Sequence, residues 1–300
     1  MRRILSVIVL ILVSSFSFAT AQSTQNTRPI QVVASFSVLA DIVKNIGGDK
    51  ISITSIVGPN QDAHEYELKP SDLIAINKSK IVFINGLGLE AGWINGVKGS
   101  YKGNLVVVSK GISPFLIKND MNKTQEDPHV WNNPMNVVNY YIPNILKALV
   151  LIDPQDKAYF TKNANEYTKK ITDLNSWVKV QLALIPVESR RAVTTHDAFN
   201  YFARTYNINF ISAQGVSTDS DASAKDIADL EKVIKSSKVK VVFLENMTNN
   251  KLIRQIALDT HARVGGELYS DALSTSKQQA NTYIDMIQYN VKTLIKAWSN

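Results

Sequence analysis

Apolar positions along this chain come in two kinds, short β-branched runs and longer stretches spaced by threes and fours, and the two kinds alternate. Ile30–Phe36 reads as a strand, 38–46 as a helix closed by Gly47-Gly48, and Ile51–Val57 as a strand stopped by Gly58-Pro59-Asn60. A short helix with proline in its first turn follows at 70–77, then buried-strand runs at Ile81–Ile84 and 105–108. The stretch 136–150 reads as a helix that Pro143 kinks or restarts. In the second half strands are expected at 191–195, 208–212, 239–244 and 264–269, and helices at 198–206, 224–236, 251–261 and 276–298. Ser223 with Asp226 three residues on is a capping-box variant for the helix at 224. This alternation argues for βα units on parallel sheets, an α/β fold in two lobes.

One long helical pattern joins the halves. From Pro154 to Leu184 apolar residues recur at Phe160, Ala164, Tyr167, Ile171, Leu174 and Val178. Asp153 is placed to cap the start, Pro154 suits the first helical position, and Pro186 stops the run. A helix of that length measures about 45 Å and forms a stiff bridge along both lobes. The expected organisation is a leader at 1–21, an N-terminal α/β lobe at 22–153, the bridging helix at 154–186 and a C-terminal α/β lobe at 187–300.

The leader is read from Arg2 and Arg3, the apolar run that follows them, and the Ala19-Thr20-Ala21 site. The run is shorter than the ~20 residues that span a bilayer, so cleavage after Ala21 is expected. No later stretch reads as a membrane crossing. With no cysteine at the cut there is no site for a lipid anchor, and the periplasm is the expected location. Hydrophobic residues at 45% and charged ones at 20% exclude wholesale disorder. A count of 0 cysteines excludes disulfides, thiolate metal sites and cysteine nucleophiles. The net charge is +7, or +5 without Arg2 and Arg3, on scattered lysines, so no nucleic acid partner is expected.

The 4 histidines can each be weighed. His64 follows the strand Ile51–Val57, His129 lies in Asp127-Pro128-His129-Val130-Trp131, and His196 lies in Thr194-Thr195-His196-Asp197. All three fall beyond the carboxyl ends of expected parallel strands, where α/β sheets bind ligands. Asp271, in Leu268-Tyr269-Ser270-Asp271, shares that location, whereas His261 falls inside an amphipathic helix and reads as a surface or packing residue. Three imidazoles and a carboxylate suit a first-row divalent cation. Taken singly, each is also an ordinary turn residue or helix cap, and spacing alone does not bring them together.

With these residues in view, the chain resembles the periplasmic and surface solute-binding proteins of cluster A-I, which feed zinc or manganese ABC importers. His64-Glu65-Tyr66-Glu67-Leu68-Lys69-Pro70-Ser71-Asp72 is similar to the family hallmark. Asp127-Pro128-His129-Val130-Trp131, Asn85-Gly86-Leu87-Gly88-Leu89-Glu90 and His196-Asp197-Ala198-Phe199 are similar to further motifs of that family. The resemblance covers nearly all of the mature chain. It implies metal ligands at His64, His129, His196 and Asp271, two α/β lobes bridged by one long helix, and inner-membrane permease and ATPase subunits as partners. Two departures stand out. Ala63 replaces a frequent proline, and 112–127 holds no histidine and only Asp120, Glu126 and Asp127 as acids, so the His-rich loop of many zinc members is missing. Manganese members often place a carboxylate where His196 stands, and zinc binds more tightly in the divalent order, so Zn2+ is favoured with Mn2+ as the alternative.

Gly86-Leu87-Gly88-Leu89-Glu90-Ala91 matches a dinucleotide fingerprint, but the next strand ends at Ser109-Lys110 without an acid for a ribose, so a strand-to-helix turn is the better reading. The competing function is a secreted zinc-dependent hydrolase. Four protein ligands would close the position a catalytic zinc keeps for water, and only Asp197 or Glu245 can be nominated as base. A surface adhesin has no repeat or anchoring feature to support it. The expected protein is therefore a monomer and not an enzyme. It would bind a divalent ion between its lobes with high affinity, deliver it to a permease after a small lobe shift, and weaken below about pH 6.5, the ordinary histidine value.

Overall fold

The computed structural model describes residues 28–118, 124–219, 222–237 and 239–299, so the expected leader at 1–21 lies outside the described residues. The first lobe runs β1 (Ile30–Phe36), α1 (Ser37–Gly47), β2 (Ile51–Val57), α2 (Pro70–Lys78), β3 (Ile81–Ile84), α3 (Ile94–Ser100) and β4 (Asn104–Val107). A small antiparallel pair follows, β5 (Leu116–Lys118) with β6 (Thr124–Glu126). The helical turn α4 (Pro134–Asn136) leads through a π turn at Val137–Tyr141 into α5 (Ile142–Ile152), and α6 (Lys157–Leu182) is the long helix. The second lobe runs β7 (Arg191–Thr194), α7 (Asn200–Tyr206), β8 (Asn209–Ser212), α8 (Ala224–Ser237), β9 (Val241–Glu245), α9 (Lys251–Thr260) and β10 (Arg263–Leu268), and α10 (Tyr283–Trp298) closes the chain.

Both main sheets are parallel, in the orders β2-β1-β3-β4 and β10-β9-β7-β8. Counted within its own lobe, each sheet has the strand order 2-1-3-4, so one topology occurs twice. Strands that carry helices on both faces need apolar residues on both. Accordingly Val32, Val33 and Ala34 are consecutive and all buried. α1 buries Val38, Leu39, Ile42, Val43 and Ile46 at helical spacing and ends at Gly48, whose φ of 54° a side chain would strain.

The long helix buries the residues its spacing marks: Phe160, Ala164, Tyr167, Ile171, Leu174 and Val178. It packs on α1, α5 and α10, so one hydrophobic core runs through the bridge into both lobes. A smaller cluster around Leu230, Ile234, Val242, Ile253 and Ile256 serves the outer part of the second lobe. Two expected boundaries of the helix change. Asp153 makes no side-chain cap; its N–H bonds Leu149 O at 3.0 Å, so it closes α5 instead. The helix proper then begins at Lys157 and stops at Leu182, before Pro186, which gives 26 residues and about 39 Å.

Other differences have local causes. Pro143 has no N–H to offer the turn before it, and the π turn at Val137–Tyr141 absorbs the mismatch without breaking the helix. The resulting stretch Pro134–Ile152 has a mean hydropathy of 1.3 and is long and apolar enough to cross a bilayer, contrary to expectation. In this fold it packs on α1 and α6 and buries Ile142, Ile145, Ala148 and Leu149. The last helix starts at Tyr283 rather than 276, because Thr282 accepts the Asp285 N–H as its cap. His261 is not inside a helix; it follows α9 in the left-handed region at φ 56°. The β5–β6 pair and α3 are too short to show a period in the sequence.

Candidate metal centre

The sheet topology places the loops after β2, β7 and β10 at carboxyl ends of parallel strands. His64 stands in the loop after β2, His129 just past the β5–β6 pair, His196 two residues past β7, and Asp271 three past β10. The structure brings all four together. One donor atom from each lies within 4.8 Å of the others. His64 Nε2 is 3.2 Å from His129 Nε2 and 3.4 Å from Asp271 Oδ2. His196 Nε2 is 3.1 Å from Asp271 Oδ2, and His129 Nε2 is 3.5 Å from Asp271 Oδ1. His261, exposed at the end of α9, is not part of the group.

Two of the rings are held from behind. Asp127 Oδ1 accepts the His129 backbone N–H at 3.0 Å and lies 2.8 Å from His129 Nδ1, while Asn200 of the other lobe donates to Asp127 Oδ2 at 3.0 Å. Glu245, at the end of β9, accepts the N–H groups of Thr195 and His196 at 2.8 and 3.0 Å and the Ser270 hydroxyl at 2.8 Å. Its Oε2 sits 2.7 Å from His196 Nδ1, an ion-pair contact out of line for a hydrogen bond. Such partners fix ring orientation and raise the basicity of the facing nitrogen. His64 differs. Its N–H bonds Asp62 Oδ1 at 2.8 Å, but among the described residues no carboxylate pairs with its Nδ1.

The Asn85–Glu90 motif turns out to be scaffold. The buried Glu90 carboxylate accepts the N–H groups of Asn85 and Gly86 at 2.7 and 3.0 Å, closing a turn whose Gly86, Leu87 and Gly88 all have positive φ. Those N–H groups are the ones a pyrophosphate would need, which removes the dinucleotide reading. Asn85 Nδ2 then donates to Pro128 O at 3.0 Å, beside His129, and Tyr141 OH donates to Asn85 Oδ1.

His129, His196 and Asp271 are fully buried and the His64 side chain is 4% exposed. Burial opposes a charge on His129, but the Asp271 charge and the Asp127 hydrogen bond outweigh it and raise its pKa to about 9. Burial is likewise overcome at His196, raised well above its ordinary value by Glu245 and Asp271. Burial would raise Asp271, yet the two imidazolium rings hold it well below the ordinary carboxylate range. A divalent cation would have to displace such protons, so the raised His129 value moves proton competition upward from the ordinary histidine value near 6.5. Asp271 Oδ1 is buried and makes no hydrogen bond, with His129 Nε2 at 3.5 Å as its polar neighbour in the cluster. Glu245 has its oxygens engaged by Thr195, His196 and Ser270, so it is not placed as a hydrolytic base.

Comparison with known proteins agrees with this architecture. The manganese ABC transporter substrate-binding lipoprotein PsaA of Streptococcus pneumoniae is 30% identical over 301 aligned positions, covering 97% of each chain. The iron-binding protein YfeA of Yersinia pestis is 31% identical over 288 positions, 96% of this chain and 92% of its own. Among solved structures, the periplasmic zinc binding protein TroA of Treponema pallidum superposes with a TM-score of 0.84 at 29% identity, over 91% of this chain and 99% of its own. These relatives are binding proteins, not enzymes. A family model matches residues 32–297, and on that match the chain belongs to the family described as zinc-uptake complex component A, periplasmic.

Proposed function

We propose that this chain is the substrate-binding protein of a metal ABC importer. In this reading His64, His129, His196 and Asp271 hold the cargo, and Zn2+ is preferred with Mn2+ as the competing ion. One observation carries the reading: four donor atoms from loops of both lobes converge within 4.8 Å. Metal–ligand bonds of roughly 2.0–2.1 Å in a tetrahedron put neighbouring donors about 3.3 Å apart. Four of the donor separations, 3.1–3.5 Å, lie near that edge in a group that spans up to 4.8 Å. Three imidazoles support zinc, which also stands above manganese in intrinsic affinity. The relatives are named for manganese, iron and zinc, so membership of the family does not select the ion and the preference rests on the donor set of this chain.

A leader at 1–21, lobes at 22–153 and 187–300 and a bridge at 154–186 complete the proposed organisation, with the mature protein in the periplasm. PsaA is named a lipoprotein, whereas this sequence has 0 cysteines. The partners are a permease and an ATPase in the inner membrane. The shared core along α6 supports a small lobe shift at release. The test is elemental analysis of protein purified without added metal, followed by Zn2+ and Mn2+ titrated in competition. Stoichiometric binding with zinc winning is the expected result; tighter manganese binding overturns the ion preference, and no binding overturns the whole reading.

A further inference from the structure

The ligands are split between two lobes, so something other than the cargo must set how the His129 loop faces the Asp271 loop. Trp131 is fully buried two residues past His129. Its ring meets His129 edge-on at 5.3 Å and Phe36 at 4.8 Å. Its indole N–H donates to Ser270 O at 2.9 Å, the carbonyl immediately before Asp271. Its own carbonyl accepts Tyr283 OH at 2.7 Å. We propose that Trp131 is a positioning residue for cargo binding, touching a ligand of one lobe while holding the backbone next to a ligand of the other.

The chemistry favours this side chain for the task. An indole has one donor and a large rigid ring, so a single group supplies both packing and one directed bond. Ser270 is held from both lobes, because its hydroxyl donates to Glu245 at 2.8 Å while its carbonyl accepts from Trp131. Glu245 in turn contacts His196. A continuous path therefore runs behind the donor atoms from His129 through Trp131, Ser270 and Glu245 to His196. It joins segments 139 residues apart in the chain. Asn132, which donates across the lobes to Ala198 O at 3.0 Å, makes no such ring contact, and the Asn200–Asp127 bond reaches His129 without touching the Asp271 loop.

This inference rests on the cargo reading, and its test separates the two. Trp131→Phe keeps the ring against His129 and removes the N–H. The expected result is Zn2+ binding weaker by about fivefold, the equivalent of one ordinary hydrogen bond, expressed as faster dissociation. The rise in Tm that Zn2+ produces shrinks with it. Ser270→Ala, which cuts the Glu245 limb of the same path, weakens binding in the same direction. Tyr206→Phe is the control, since it removes a buried bond to Asn175 remote from the ligands and lowers Tm without changing affinity. Wild-type affinity and dissociation rate in both Trp131→Phe and Ser270→Ala, with only Tm lowered, would overturn the positioning role. A wild-type chain that retains neither Zn2+ nor Mn2+ would overturn the cargo reading and this inference with it.

Discussion

The loop that carries His64 and the frame that carries His129 and His196 reach the same point by different means. The two framed rings are fully buried, each with a carboxylate behind it, Asp127 or Glu245, that is itself held by backbone and side-chain donors. His64 sits in the irregular stretch between β2 and α2 and faces a cleft of about 310 Å³ lined by Gly88, Glu126, Pro128 and Asp219. The difference teaches that the site has a prepaid part and an added part. His129 and His196 each have one carboxylate behind the ring and Asp271 in front; His64, 3.4 Å from Asp271 Oδ2, has Asp271 alone.

The largest effect that could break this contrast comes from Asp271. Asp271→Ala strips the carboxylate from two buried imidazolium rings, and losing one partner of a buried pair costs about 3–5 kcal/mol. Metal affinity should fall by more than about a hundredfold in a competition titration. Next, the metal-free protein should separate the histidines. His196→Ala leaves Glu245 and Asp271 buried without their cation and lowers metal-free stability by about 3–5 kcal/mol in urea melts. His64→Ala, which orphans no carboxylate behind the ring, costs about 0.5–2 kcal/mol, less than His196→Ala, while metal binding falls sharply. Equal destabilisation by both would erase the distinction between frame and loop.

Titration sharpens it further. His129 rises from its ordinary 6.5 to about 9 in the fold, so its contribution to metal-free stability is fully present below 6.5 and lost as pH climbs through about 9. The lowered Asp271 contributes above its ordinary 3.8 and loses that only in strong acid. Metal-free Tm should therefore fall between pH 6.5 and 9 while metal affinity rises over the same window. Calorimetry in buffers of different ionisation enthalpy reads the released protons directly. A flat profile would mean that the framed rings are already neutral. The smallest effect belongs to the histidine outside the site. His261→Gly relieves a positive φ and should add about 0.5–1 kcal/mol of stability with no change in metal binding.

Much of this molecule was legible in the chain because its signals are short-range. β1, β2 and β3 end where their apolar runs end, and the buried face of α6 follows its spacing. Boundaries failed where a residue had two uses. Asp153 is a sound cap by type but is taken up by α5, and the last helix waits for Thr282 because Asp41 of the first lobe accepts the Tyr283 N–H at 2.9 Å. At the site, the four converging residues were nameable one by one, and Asp127 stood in the same motif as His129. Glu245 is readable in the sequence only as a candidate base; the turn at Asn85–Glu90 and the motif ending in Trp131 are visible there, but not the contacts by which they support the site.

What the sequence determined by itself is the inventory: parallel βα units, a bridge with one apolar stripe, no thiols, and donors at strand ends. Periodicity and residue chemistry act over a few positions, so they survive in a linear string. The tertiary structure alone decided which donors share a point, which ring is framed and which is loose, and where a buried carboxylate meets an imidazole. Those outcomes depend on two sheets packing across one core, which brings together residues that no local rule relates.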